Sequence, residues 1–96
     1  MQNGGSVYIL TNYSNNLIYV GVTSQLFIRI IENKEGKYPD CFTQKYNCKM
    51  LVCFETFLNI EEAIAREKSI KNLHRQCKLN LINAHNPTWK EIVLNE

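Results

Sequence analysis

The chain has no long apolar run, little excess charge of either sign and no leader-like start. No apolar segment approaches the about 20 residues that a membrane-spanning helix needs. The first residues, MQNGGS, carry neither the basic nor the apolar part of a secretion signal. The sequence therefore predicts a cytoplasmic protein without a membrane partner. Its formal net charge of +2 permits a nucleic-acid partner but does not by itself argue for one.

The sequence also lacks the patterns that bind zinc or form a disulfide framework. Its cysteines form no CxxC pair, and its histidines are not spaced as zinc partners for them. We therefore expect free thiols. The residues concerned are Cys41, Cys48, Cys53, Cys77, His74 and His85. With 45% hydrophobic and 21% charged residues, and no repeat or linker, residues 1–96 are expected to form a single globular domain.

Two short strand-like segments near the start of the chain each carry a central tyrosine. Residues 6–11 and 17–22 alternate in the manner of strands, and the turn-forming residues NYSNN separate them. A hairpin centred on the Tyr13–Ser14 peptide places Tyr8 directly opposite Tyr19. Gly21 then lies on the same face. A slip of one residue would send the tyrosines to opposite faces, so the shared face is a specific prediction.

The middle of the chain predicts a helix and a loop. Thr23 or Ser24 can cap a helix that runs to about residue 34. Arg29 and Asn33 are four residues apart and therefore share one face of that helix. Gly and Pro in residues 35–47 predict a loop there.

The second half predicts one strand followed by helices. Residues 49–57 are expected to form a third strand, and Asn59 caps a helix that ends at about residue 74. A shorter helix over residues 77–85 follows, and Asn86-Pro87 opens a last helical turn. Three antiparallel strands with helices between and after them predict an α+β fold, a three-stranded antiparallel sheet flanked by helices.

One carboxylate lies on the side of the second helix that should face the protein. At about 100° per residue, Glu67 falls within the apolar arc of that helix, whose members are Ile60, Ala63, Ile64 and Ile70. An inward carboxylate must become neutral, pair with a cation or bind a metal, because an unpaired buried charge is costly. An ion pair with Lys71, four residues later, is the purely structural explanation. The pattern alone leaves both explanations open.

In their order and spacing these features resemble the GIY-YIG endonuclease family, in particular its small stand-alone bacterial members. The resemblance rests on the segments VYI and YVG, on Arg29 ten residues after Tyr19, and on Glu67 within AIAREKSIK. It extends from about residue 5 to residue 91 and includes the segment NPTWKE. It implies the fold predicted above, metal-dependent hydrolysis of phosphodiester bonds, and a nucleic-acid partner, with DNA as the expected substrate.

The resemblance also implies roles for individual residues. Tyr8 and Tyr19 match the two motif tyrosines, Arg29 the catalytic arginine, and Glu67 the glutamate that binds one divalent cation, Mg²⁺ or Mn²⁺. The forked donors of arginine fit two phosphate oxygens, and the cation neutralises charge on the leaving oxygen. We expect Tyr8 to orient or deprotonate the attacking water, and Tyr19 to help position phosphate and water. Tyrosine can act as a base only if a cation lowers its pKa.

Three further residues are predicted to contact the substrate. Gly21 leaves room for a nucleic-acid backbone, and Lys71 belongs to a thin set of basic side chains available to phosphates. Asn33 stands where many family members have histidine. Asparagine forms hydrogen bonds but does not titrate. It can replace a histidine that orients a group, but not one that moves a proton.

Three hypotheses about function remain. The first is a Mg²⁺-dependent DNA endonuclease, with DNA repair among its conceivable roles, whose specificity comes from DNA structure or from a protein partner. The second is a catalytically weakened nucleic-acid-binding module. The third is a structural or protein-interaction domain in which the tyrosines and the Glu67–Lys71 pair are packing features. Metal-dependent nicking of DNA, salt-sensitive binding without cleavage, or neither, would distinguish them.

Overall fold

The computed structural model describes residues 4–14, 17–35 and 48–94 of the chain. These residues form β1 (Gly5–Thr11), β2 (Ile18–Thr23), α1 (Leu26–Glu35), β3 (Met50–Phe57), α2 (Ile60–Lys71) and α3 (Arg75–His85). The strands make one antiparallel sheet in the order β2-β1-β3. The predicted α+β fold is thus confirmed. The predicted loop over residues 35–47 lies outside the described residues, except for residue 35, which is the last residue of α1.

The sheet buries side chains on both of its faces. We call the first the tyrosine face; its buried residues, with those of the adjoining α1, are Tyr8, Leu10, Ile30, Cys48 and Leu51. The buried residues of the opposite face, with those of α2 and α3, are Val7, Ile9, Val20, Val52, Cys53, Ala63, Ile70 and Ile82. Because successive strand residues point to alternate faces, the central strand β1 contributes to both layers, and it is buried along its whole length.

The register of the β1–β2 hairpin differs from the predicted one. Tyr8 lies opposite Gly21, and Tyr19 lies opposite Leu10, so the prediction that the two tyrosines directly oppose each other is wrong. The side-chain oxygen of Asn12 accepts a hydrogen bond from the Leu17 backbone N–H at 3.1 Å, which closes the connection one residue later than predicted. The partner of Tyr8 therefore shifts by two residues, which preserves the face. The prediction that the tyrosines share a face is confirmed.

Side-chain caps fix the start of the first two helices. The hydroxyl of Thr23 accepts a hydrogen bond from the Gln25 backbone N–H at 3.0 Å, immediately before α1. The side-chain oxygen of Asn59 accepts one from the Glu62 backbone N–H at 3.1 Å. Such bonds satisfy backbone donors that have no partner within the helix. The predicted cap at Asn59 is confirmed. For α1, the Gln25 carbonyl oxygen accepts the first helical hydrogen bond, from the Arg29 N–H, so Thr23 stabilises the turn into the helix and is not the residue directly before it.

Asn86 ends α3, and its carbonyl oxygen accepts a hydrogen bond from the Trp89 N–H at 3.0 Å; the predicted turn after Asn86 is therefore present, but it is not helical. The side-chain amide of Asn86 donates to the carbonyl oxygens of Val52 at 3.1 Å and of Lys90 at 2.7 Å. Further along, the Ile92 backbone N–H donates to the Leu51 carbonyl oxygen at 2.7 Å. Unpaired carbonyl groups of an edge strand need such partners. The segment after α3 therefore covers part of the free edge of β3.

The described cysteines are free thiols, as predicted. Cys48 and Cys53 are buried and Cys77 is exposed, whereas Cys41 lies outside the described residues. Among the helices of the described residues, none is long and apolar enough to cross a membrane.

Candidate active site

Two tyrosines and an arginine meet on the tyrosine face. Tyr8 is 1% exposed, and its ring centroid lies 6.3 Å from that of Tyr19, with 45° between the ring planes. The Arg29 guanidinium and the Tyr19 side chain both lie close enough to the Tyr8 hydroxyl to affect its pKa. The central strand, the edge strand β2 and α1 thus bring three of the four predicted catalytic residues together. We call these three residues the tyrosine–arginine cluster.

Gly21 provides the space in which the Tyr8 ring lies. A Cβ atom at position 21 would lie 2.5 Å from both Cζ and the hydroxyl oxygen of Tyr8, and 2.9 Å from Cε2 of Tyr19. Such distances are far shorter than ordinary van der Waals contacts, so no side chain fits there without displacing a phenol. The need for glycine is explained by the protein's own tyrosines. The approach of a nucleic-acid backbone at Gly21 stays a prediction.

The environment of Tyr8 favours its neutral form. Burial raises the pKa of Tyr8 and the neighbouring Tyr19 raises it further, while the hydrogen bond and charge of Arg29 lower it. The net effect is a pKa above the ordinary value of 10.0, so the phenol keeps its proton near neutral pH. A neutral phenol can direct a hydrogen bond at water or phosphate but is a poor proton acceptor. Of the two roles predicted for Tyr8, this environment favours orientation of the water.

Arg29 borders a shallow depression at the start of α1. The depression has a volume of about 220 Å³ and is lined by Thr23, Ser24, Gln25, Ile28, Arg29 and Glu32. The Arg29 side chain is 40% exposed, and its Nε lies 3.8 Å from a carboxylate oxygen of Glu32. Arg29 therefore contacts buried Tyr8 while it remains open to a substrate from solvent. The family motifs do not point to Glu32; its spacing of three residues from Arg29 on a helix is the signal that does.

Asn33 follows Arg29 by one turn of α1 but lies in the interior. It is 7% exposed and is one of the buried residues of this helix. This burial leaves little of its amide for direct contact with a substrate, so the predicted substrate contact would need a rearrangement of the helix. An effect of Asn33 on neighbouring side chains fits this position better.

Glu67 lies on a helix that packs against the opposite face of the sheet. Arg66, the preceding residue, forms two hydrogen bonds with the carboxylate of Glu55 on β3, at 2.8 and 3.2 Å. At about 100° per residue, Glu67 then lies on the side of α2 toward the edge strand β2. Its carboxylate is 2.7 Å from the ammonium of Lys71, and its side chain is 12% exposed. The structure thus shows the local Glu67–Lys71 ion pair, on a helix whose buried residues pack against the face of the sheet opposite Tyr8.

The described carboxylates suit only one kind of metal site. Within residues 4–14, 17–35 and 48–94, no group of three or more His, Cys, Asp or Glu side chains is arranged to hold an ion. Mg²⁺ in phosphate-processing enzymes needs only one or two carboxylates, because water and substrate phosphate supply the other ligands. The largely buried carboxylate of Glu67, paired with Lys71, fits a site of that open type and does not fit an enclosed protein cage.

Comparison with known proteins agrees with this geometry. The sequence profile of the GIY-YIG catalytic domain matches residues 4–83, a stretch that includes all three strands and the tyrosine–arginine cluster. No curated protein matches the chain. Among solved structures, the chain is similar to the solution NMR structure of a UPF0213 protein from Bacillus halodurans. The two are 28% identical, the similarity covers 91% of this chain and 90% of that one, and the TM-score is 0.59. The chain therefore belongs to the GIY-YIG family, a family of nucleases that act on nucleic acids.

Proposed function

We propose that this protein is a Mg²⁺-dependent DNA endonuclease whose phosphodiester-binding centre is the tyrosine–arginine cluster. The observation that supports the proposal is that half-exposed Arg29 lies against buried Tyr8, beside Tyr19, in a chain of a nuclease family. A phosphodiester is the same at every base, so a centre of this kind carries no sequence information. Selectivity would then come from DNA structure or from a protein partner.

Arg29 is the residue that meets the phosphate. Its planar guanidinium can donate two parallel hydrogen bonds to the non-bridging oxygens, where negative charge increases in the transition state. Its contact with Tyr8 would orient the guanidinium before the substrate arrives, so that little reorganisation is needed during the reaction. Tyr8, neutral and rigid, orients the attacking water, and the more exposed Tyr19 helps to position water and phosphate.

Glu67 is the residue proposed to hold Mg²⁺ or Mn²⁺. When bound, the cation neutralises charge that develops on the leaving oxygen. The Lys71 side chain is 49% exposed, so it can keep the Glu67 carboxylate in place and still contact a phosphate of the DNA. This proposal about the metal rests on the chemistry of one carboxylate and on the family resemblance.

A catalytically weakened nucleic-acid-binding module is the second candidate function. Two observations favour it. Glu67 is already paired with Lys71, and the buried residue at position 33 is asparagine, which cannot transfer a proton as histidine does.

Nicking of supercoiled plasmid separates the two candidates. We expect wild-type protein to nick in Mg²⁺ and not in EDTA, and Glu67→Ala to lose at least about 100-fold in rate, as loss of a charge-stabilising group does. Glu61→Ala, which removes an exposed acid from the same helix, is the matched control and should nick normally.

DNA binding by fluorescence anisotropy, measured across a salt series, completes the test. Salt-sensitive binding without nicking in Mg²⁺ or Mn²⁺ would contradict the endonuclease and favour the binding module. Normal nicking by Glu67→Ala would leave the nuclease in place and contradict the metal assignment.

A further inference from the structure

The carboxylate of Glu32 lies close to Arg29. Both residues lie on α1, and Glu32 Oε1 is 3.8 Å from Arg29 Nε. This distance is longer than a hydrogen bond, so the contact acts as an attraction between opposite charges. The Glu32 side chain is 19% exposed and lines the same depression as Arg29. Its charge is therefore directed at the place where a phosphate would bind.

Arg29 is held from two directions. The Tyr8 hydroxyl contacts the guanidinium from the sheet, and Glu32 attracts its Nε from the next turn of the helix. A guanidinium has five N–H donors in one plane, and contacts at two points fix the orientation of that plane. A guanidinium oriented in this way presents its fork of donors to a phosphate in a fixed direction. A single contact would leave the long arginine side chain free to rotate about it.

Glu32 also has an unfavourable effect on binding. Its negative charge in the depression repels the DNA backbone and offsets part of the charge of Arg29. Such a residue lowers the affinity for bound DNA and at the same time raises the rate of the chemical step, because the contact that it orders matters most in the transition state. These two effects have opposite signs, which makes them separable by experiment.

On the premise of the proposed nuclease function, we propose that Glu32 is a positioning residue that fixes the plane of the Arg29 guanidinium at the cost of DNA affinity. Glu32→Gln removes the charge and keeps the size of the side chain. It should bind DNA about 2–5-fold more tightly, because a like charge leaves the depression. Its single-turnover rate at saturating protein should fall about 10-fold or more, because Arg29 is less well placed.

The matched control is Glu35→Gln. Glu35 lies on the same helix, at its last residue, and is exposed. The substitution changes the net charge by the same amount without touching the depression. Three quantities are compared in wild type and both variants: the single-turnover nicking rate in Mg²⁺, the DNA dissociation constant in EDTA, and the NMR resonance of the Arg29 Nε–H. The resonance should move in Glu32→Gln and stay in place in Glu35→Gln.

Tighter binding, a slower rate and a shifted Arg29 resonance in Glu32→Gln alone would support the proposal. Wild-type values in all three measurements would overturn it and leave the nuclease function standing. Weaker DNA binding, or a higher Mg²⁺ requirement, would also overturn it, because Glu32 would then contact substrate or metal directly. If wild-type protein does not cleave, the proposed function fails, and an unmoved Arg29 resonance would show separately that Glu32 does not position Arg29.

Discussion

Replacement of Gly21 by alanine tests how the tyrosine–arginine cluster is built. The added Cβ would lie 2.5 Å from Cζ and the hydroxyl oxygen of Tyr8, whereas ordinary contact begins at 3.4 Å. The Tyr8 ring or the β2 backbone must therefore move by about 0.9 Å. Tyr8 is 1% exposed, so its ring has no free space into which it can retreat.

The expected loss of stability combines two opposing effects. Overpacking of a buried site costs about 1–3 kcal/mol. Removal of a glycine from a strand stabilises the fold by about 0.5–1 kcal/mol. The free energy of unfolding of Gly21→Ala should thus fall by up to about 2.5 kcal/mol. A displacement of about 1 Å in a catalytic group can lower the rate about 100-fold, so the loss of nicking activity should be larger than the loss of stability implies.

A double-mutant cycle provides the measurement. Urea unfolding, followed by the fluorescence of Trp89, is compared for Gly21→Ala in the wild-type background and in Tyr8→Leu, whose shorter side chain lacks the Cζ and hydroxyl groups. The cost of Gly21→Ala should become smaller in Tyr8→Leu, where only the 2.9 Å approach to Cε2 of Tyr19 remains. An alanine variant that is as stable and as active as wild type would refute the packing argument. Wild-type stability with lost DNA binding would instead favour the predicted approach of nucleic acid at Gly21.

Two further predictions concern protons. Burial, and to a lesser extent the charge of Glu55, raise the pKa of Cys53 from 9.0 to about 11, while Arg66 lowers it slightly. Between pH 9 and about 11 the thiol of the folded protein therefore keeps its proton, whereas the thiol of the unfolded chain loses it. The contribution of Cys53 to the free energy of unfolding should be constant below pH 9 and fall from pH 9 to about 11. Urea titrations should show a shallower fall in Cys53→Ala, and an equal slope would contradict the assignment. Asn33→His should raise the nicking rate at neutral pH about 10-fold or more if position 33 transfers a proton. An unchanged rate would show that asparagine suffices for its role.

The strands and their faces could be predicted because alternation along a strand is a local property. If the pairing of the two strands shifts by two residues from the predicted one, as it does here, the side chains of Tyr8 and Tyr19 still point to the same face of the sheet. The register itself could not be predicted, because NYSNN contains several residues that can close a turn. The hydrogen bond from Leu17 to Asn12 selects one of them, and that choice depends on the completed hairpin.

The position of Glu67 shows the limit of helical periodicity. The period of a helix tells which side faces the protein, and Glu67 is indeed on the sheet-facing side. It does not tell which face of the sheet the helix covers, and this depends on the packing of Ala63 and Ile70 against Val7 and Ile9. Asn86 shows a similar limit. An asparagine can cap either end of a helix, and its partner on β3 is more than thirty residues away.

The nicking rate of Arg29→Lys tests most directly whether the tyrosine–arginine cluster is the active centre. Lysine keeps the positive charge but lacks the planar fork that can contact Tyr8 and two phosphate oxygens together. The single-turnover rate in Mg²⁺ should fall about 10²–10³-fold with little change in DNA affinity, while Arg75→Lys, at an exposed position on α3, should nick at the wild-type rate. A rate for Arg29→Lys equal to that of wild type would contradict the assignment of the active site to this cluster.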